Sequence, residues 1–321
     1  SLPHIELGNE EYAYVSAEEY AKIVKAFTKV IHENSPQSTV WVTLGSNLCS
    51  EADRKLIYPW AEKLAGTLAD AGFTHDSHLG FTLHYVWPEY IELYSKLLTE
   101  HGFRPRLAVT EFHMAGSGDY TDLAPRYGYA LGLAQFLIDM APLQNVEILC
   151  VHDLVSQNFG IIHYNQKPYV APDYKSSWDP SLGYQSMPSA YVYQLFGKLI
   201  GGAVVREADP NPARLVVQKG AECRAFYVNN KVNPTQLKWS RAIVGSNTIN
   251  YECTMILPAS ASSAAASNGN GASAEALGSA NQNGDPVRMD KVIIKTMTGK
   301  LGNEGLNTSL PAYAIAYFRF F

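Results

Sequence analysis

Two glutamates close two apolar strands that lie far apart in the chain. Glu10 ends His4-Ile-Glu-Leu-Gly-Asn-Glu10, and Glu111 ends Leu107-Ala-Val-Thr-Glu111. A pair of carboxyl groups delivered at strand C-termini suits glycosidic bond cleavage. That reaction passes through an oxocarbenium-like state, in which one carboxyl protonates the leaving oxygen while the other attacks carbon or activates water. Burial and neighbouring charges must push the two pKa values apart, so that one group carries a proton and the other does not.

Several side chains stand where they could serve such a pair. His84 and Tyr85 end the strand between the two glutamates in sequence, and Trp87 is a candidate platform for stacking a sugar ring. His113 follows Glu111 closely enough to touch substrate, and His152 with Asp153 follows the next strand. Tyr12 and Asn47 are weaker candidates on neighbouring rims. His4, Glu6, His152 and His163 match no metal-ligand spacing, and the chemistry calls for no cofactor.

The elements that must position these groups alternate. A strand over 4–10 precedes a helix over 16–34 that opens on a capping box, Ser16 with Glu19. Tyr20, Ile23, Val24, Phe27 and Val30 or Ile31 fall on one helical face, which is expected to be the buried one. Strands over 39–44, 78–85, 106–111 and 146–151 then alternate with helices over 52–72, 88–101, 123–140 and 188–199. Near-continuous apolar strands between amphipathic helices predict a parallel sheet covered by helices. Five βα units fit strands four to eight of a (β/α)8 TIM barrel, whose chemistry sits at strand C-termini. Glu10 and Glu111 would then stand on strands four and seven, facing each other across the mouth. An open doubly wound sheet is the alternative, but no Gly-rich phosphate loop follows any strand.

After Gly201-Gly202 the pattern changes to short alternating segments, near 203–207, 213–218, 223–228, 236–240, 251–257, 291–296 and 312–320. These predict an all-β sandwich domain over 201–321, after a barrel domain over 1–200. The stretch 258–286, almost wholly Ala, Ser, Gly and Asn, interrupts it and is too poor in apolar residues to order itself.

The chain has 321 residues with 25 basic and 30 acidic side chains, a net charge of −5 that gives no electrostatic reason to bind nucleic acid. No apolar run is long enough to span a bilayer. Of Cys49, Cys150, Cys223 and Cys253, the last two share the C-terminal region and would allow a disulfide. The sequon Asn307-Thr-Ser309 is compatible with secretion, and an extracellular or cell-wall location is expected. The chain opens inside a strand, which is expected of a piece of a longer protein.

Glu6-Leu-Gly-Asn-Glu10 resembles the strand-four signature of clan A glycoside hydrolases, most of all the family 51 α-L-arabinofuranosidases. Thr110-Glu111-Phe112 resembles their strand-seven nucleophile, and Phe81-Thr-Leu-His84-Tyr85 their strand-six motif. Ser189 to Gly202 is similar to the last barrel helix, and Leu310 to Phe318 to the closing sandwich strand. The resemblance implies a retaining glycosidase acting on a plant- or algal-type carbohydrate. Glu10 would be its acid/base and Glu111 its nucleophile. It further implies that Asn9 binds the sugar 2-hydroxyl and that His84 and Tyr85 orient the nucleophile. The family's first three βα units have no counterpart here. A preceding segment or another chain would have to complete the barrel, because an open sheet exposes its edges. The alternative is a non-catalytic extracellular or cell-wall glycoprotein that uses the same scaffold for architecture or carbohydrate binding.

Overall fold

The computed structural model describes residues 2–48, 50–112, 127–152, 154, 161–164, 184–205, 207, 211–245, 248–258, 274–277 and 292–321. His113, Asp153, Cys49, most of the 152–187 loop and most of the low-complexity stretch lie outside them. The chain divides into two compact units, 1–113 with 143–152, and 114–142 with 153–321.

The first unit holds β1 (His4–Leu7), α1 (Ala17–Asn34), β2 (Thr39–Ser46), α2 (Glu51–Asp70), β3 (Leu79–His84), α3 (Pro88–Glu100), β4 (Leu107–Phe112) and β5 (Val146–Val151). The strands form one parallel sheet in the order β1-β2-β3-β4-β5, part of a barrel wall rather than a full barrel. All eight residues of β2 are buried, as the unbroken run of apolar and β-branched side chains demands. The helices start where the caps place them. The Ser16 hydroxyl accepts from the Glu19 N–H, Ser50 and Asp53 form a reciprocal capping box, and Pro88 opens α3.

The buried face of α1 differs from the expected one. Ala17, Tyr20, Ala21, Val24 and Thr28 are buried, whereas Ile23, Phe27 and Val30 are exposed. Tyr20 and Val24 of the expected stripe are buried, and the packed face extends over Ala17 and Ala21 rather than over Ile23, Phe27 and Val30.

Two extra residues break the regular register of the sheet. Thr43 pairs with Thr82 but Gly45 with Leu83, so β2 bulges at Leu44. Leu83 pairs with Val109 but His84 with Glu111, so β4 bulges at Thr110. The register of β4 against β5 slips across the same residues, between Val109 and Phe112.

The second unit begins with α4 (Tyr127–Met140), the antiparallel pair β6 (Ile162–Tyr164) and β7 (Tyr184–Ser186), and α5 (Pro188–Phe196). There follow β8 (Ala203–Val204), β9 (Arg214–Lys219), β10 (Glu222–Val228), β11 (Thr235–Trp239), α6 (Arg241–Val244), β12 (Asn250–Pro258), β13 (Ala274–Leu277), β14 (Val292–Lys300), β15 (Leu306–Leu310) and β16 (Ile315–Phe320). Seven strands make one antiparallel sheet, β13-β14-β12-β16-β10-β9-β8, and β11 pairs with β15 separately. One face of the large sheet shares a core with this pair, where Trp239 lies 4.9 Å from Phe318 and 5.2 Å from Phe320 between ring centres. On the other face Phe196 of α5 meets Phe226 edge-on at 5.4 Å. The buried Tyr127 hydroxyl lies 2.6 and 2.7 Å from the carbonyl oxygens of Ile256 and Tyr313, which share its one proton. Cys223 and Cys253 are both buried and both free, so the disulfide that their positions would allow is not formed.

Candidate active site

Tight backbone turns deliver the first two site residues. After β1, Gly8 takes φ +87°, which only glycine adopts cheaply, and Glu10 sits in the left-handed region at φ 56° and ψ 39°. The Asn9 N–H donates to the Glu11 carboxylate at 3.2 Å, and the Ala13 N–H to the Glu10 carbonyl at 2.9 Å, closing the turn. Tyr85 leaves β3 at φ 52°. Such conformations cost a non-glycine residue about 1–3 kcal/mol and collect at functional sites. Among the described residues only Tyr313 joins these two.

The bulge in β4 supplies the next two side chains. Consecutive residues on a regular strand point to opposite faces, but an inserted residue re-aims its neighbours. Here Thr110 and Glu111 both turn toward His84. The Thr110 hydroxyl lies 3.1 Å from His84 Nε2, and a Glu111 oxygen 3.9 Å from Nδ1. The same Nδ1 lies 3.3 Å from Glu10 Oε1. Tyr85 donates its hydroxyl proton to Glu111 Oε2 at 2.6 Å, and this hydroxyl is also 3.4 Å from Nδ1 of His152. His152 is tied to β4 through its N–H, which donates to the Phe112 carbonyl at 2.9 Å. The Ser46 hydroxyl holds the backbone of His84 by donating to its carbonyl at 3.0 Å.

The charges follow from this packing. The His84 side chain is 2% exposed, and Glu10 and Glu111 are 33% and 24% exposed. Burial opposes a charge on His84. Its contacts with Glu10 and Glu6 and the charge of Glu111 outweigh that and raise its pKa to about 9, so the ring is an imidazolium at neutral pH. The hydrogen bond from His84 in turn holds the Glu10 carboxyl below the ordinary carboxylate range, against its partial burial. Burial, then the neighbouring Glu111 carboxylate, raises the Tyr85 hydroxyl, which stays a donor; burial does the same for Tyr12.

No family model and no curated protein matches the sequence, but solved structures match the fold. A family 51 arabinofuranosidase from Xanthomonas axonopodis pv. citri superposes with a TM-score of 0.64 over 100% of this chain and 66% of its own, at 13% identity. A family 51 α-L-arabinofuranosidase from Thermotoga petrophila gives 0.60, at 14% identity over 98% of this chain and 65% of that one. A family 86 β-porphyranase from Bacteroides plebeius gives 0.53, at 14% identity over 95% and 52%. The scaffold is glycosidase-like. The chain spans somewhat less than two thirds of the two arabinofuranosidases' length.

On this glycosidase-like scaffold Glu10, Glu111, His84, Tyr85 and His152 converge. Asn9 is exposed in the turn beside Glu10, and Trp87 is half-buried as the N-cap residue of α3. Candidate residue His113 lies outside the described residues. Two members of the cluster escaped the sequence reading. Glu6 accepts the Thr110 hydroxyl proton at 3.0 Å and comes within 3.9 Å of His84 Nε2. A carboxylate in mid-strand, among apolar neighbours, was the available signal for Glu6. Thr110 had none, because only the bulge brings it beside Glu111's side of the strand. A separate cavity of about 810 Å³ opens by His75, His78, Arg104 and Arg106, around the starts of β3 and β4, the end of these strands remote from Glu111. Among the described residues no helix is long and apolar enough to cross a membrane.

Proposed function

We propose that the protein is a retaining glycoside hydrolase acting on a plant- or algal-type carbohydrate, with arabinofuranosides the first substrates to test. The observation that carries this reading is the gathering of Glu10 and Glu111 on one nitrogen of His84, at 3.3 and 3.9 Å. Those two distances limit the separation of the oxygens concerned. The limit admits the about 5–5.5 Å of a double-displacement pair. In this reading Glu111, held by the Tyr85 hydroxyl, attacks the anomeric carbon and forms a glycosyl ester. Glu10 protonates the departing oxygen and later takes a proton from the water that opens the ester. Asn9 binds the sugar beside Glu10, Trp87 offers a stacking surface, His152 lines the rim, and His113 is a further substrate-binding candidate. A preceding segment or a second chain supplies the rest of the barrel wall, pairing with the outer edge of β1 and covering Ile23, Phe27 and Val30 of α1. The exposed Asn307 on β15 fits an extracellular, glycosylated protein.

One observation favours the second reading, a carbohydrate-binding or architectural glycoprotein. A resting general acid needs a raised pKa, and Glu10 is held low by His84. A panel of aryl glycosides, arabinofuranosides first, decides between the two. Turnover by the protein that falls by several orders of magnitude in both Glu10→Ala and Glu111→Ala supports the hydrolase. Oligosaccharide binding with no turnover of any member supports the second reading.

A further inference from the structure

The hydrolase reading leaves one carboxylate of the cluster without a task. Glu6 lies in the middle of β1, one residue before the buried Leu7. Its Oε1 accepts the hydroxyl proton of Thr110 at 3.0 Å, and the same hydroxyl oxygen stands 3.1 Å from His84 Nε2. A threonine hydroxyl has one proton to give. Glu6, as a carboxylate, can only accept. Thr110 therefore gives its proton to Glu6 and turns a lone pair toward His84, so Nε2 must carry a hydrogen. Among the described residues the other ring nitrogen, Nδ1, faces two acceptors that carry charge, Glu10 at 3.3 Å and Glu111 at 3.9 Å. The Tyr85 ring also packs beside His84, and its hydroxyl proton is already given to Glu111.

We propose that Glu6, acting through Thr110, is a positioning residue that fixes the Nε2–H of His84 and so reserves the Nδ1 proton for the Glu10–Glu111 pair. The role rests on the hydrolase reading, and it answers the difficulty that Glu10 is ionised at rest. The proton for the leaving group is stored next door. As a sugar displaces water from Glu10, the Nδ1 proton passes to Glu10 Oε1, leaving neutral imidazole with its hydrogen on Nε2. Glu10 then gives that proton to the glycosidic oxygen as the bond to carbon breaks, while Glu111 forms the ester. In the second half Glu10 takes a proton from the attacking water, which can return to Nδ1. Without the Glu6–Thr110 arm, the neutral ring could place its one hydrogen on Nδ1 facing the carboxylates, and the transferable proton would be lost. Burial favours a neutral Glu6, but the hydrogen bonds around it, those of His84 and Thr110 among them, outweigh burial and keep it ionised.

The test is isotope-edited NMR of the histidine ring nitrogens across a pH series, on wild type, Glu6→Gln, Thr110→Val and Thr110→Ser. In wild type His84 should lose its proton from Nδ1 and settle as the Nε2–H tautomer. Glu6→Gln should lower the midpoint by about one unit or more, by removing a neighbouring negative charge, and should mix the tautomers. Thr110→Val should also mix the tautomers, and Thr110→Ser should restore the wild-type form. In assays, the alkaline limb of kcat/KM should move down in pH in Glu6→Gln by the same amount as the His84 midpoint. An unchanged midpoint and tautomer in both Glu6→Gln and Thr110→Val would overturn the proposal. The NMR result does not need turnover, so a failed hydrolase reading and a failed role for Glu6 are told apart.

Discussion

His84 and Glu10 meet at 3.3 Å, Nδ1 to Oε1, with the ring buried and the carboxylate one-third exposed. This contact ties the stability of the first unit to pH. The fold raises the His84 pKa from an ordinary 6.5 to about 9. Folding therefore favours the protonated ring. The resulting stabilisation is complete below about pH 6.5 and is lost as pH rises through about 9. Glu10 and Glu6 are shifted the other way, below the ordinary carboxylate range. Their stabilisation is present above the ordinary range and is lost as pH falls through the depressed values. Denaturant unfolding should give greatest stability between about pH 5 and 6.5 and a loss of order 1–3 kcal/mol by about pH 10. In His84→Gln the alkaline loss should shrink, and what remains should come from the buried tyrosine hydroxyls, which ionise only on unfolding. An equal alkaline loss in wild type and variant would contradict the pairing.

Tyr85→Phe removes the donor to Glu111 at 2.6 Å and keeps the ring. A hydrogen bond to a charged group is worth about 1.5–3 kcal/mol, so kcat/KM should fall about 10- to 150-fold. Thermal stability should change little, because the hydroxyl faces the partly open site. Rates equal to wild type would remove Tyr85 from the mechanism.

Gly80 of β3 packs against the six-membered ring of the buried Trp41 indole, and any Cβ there would collide with its Cζ3 and Cε3. Trp41 is held in turn by its N–H to His4 Nδ1 at 3.2 Å and by Arg106 at 5.7 Å from the ring centre. Gly80→Ala should therefore destabilise the first unit by about 1–3 kcal/mol, measured as a lower denaturation midpoint. A midpoint within error of wild type would show that Trp41 moves freely.

Tyr127→Phe tests the second unit. The hydroxyl is wholly buried and bridges the carbonyls of Ile256 and Tyr313. Its loss removes the one proton that the two carbonyls share, at a cost of about 1–3 kcal/mol. Since Tyr313 has φ 56°, the strand entry that follows it should also exchange its amide hydrogens faster. Hydrogen exchange around Ile315 reads this directly, and unchanged protection would count against the bridge.

The sequence makes the strands and their ends legible because buried parallel strands are written as unbroken apolar runs, and the polar residue that follows stands out. That is how Glu10, Glu111, His84 and Tyr85 could be named in advance. What depends on register was hidden. The bulge at Thr110 leaves no mark in composition, yet it puts Thr110 and Glu111 on the same ring. The α1 stripe was legible in part: helical period picks out Tyr20 and Val24, but whether the face extends over Ala17 and Ala21 or over Ile23 and Phe27 depends on the neighbours it packs against. In the second unit β15 was missed, because Leu306–Leu310 alternates polar residues on a short strand and pairs only with β11.

The paired role of Glu10 and Glu111 is tested most directly by the anomeric configuration of the first sugar released from an aryl glycoside, followed by proton NMR before mutarotation. The account predicts release with retained configuration. It also predicts that Glu111→Ala, inactive alone, makes the glycosyl azide of inverted configuration when azide is supplied to take the nucleophile's place. Release of the inverted anomer by the wild type, or undiminished hydrolysis by Glu111→Ala, would contradict it.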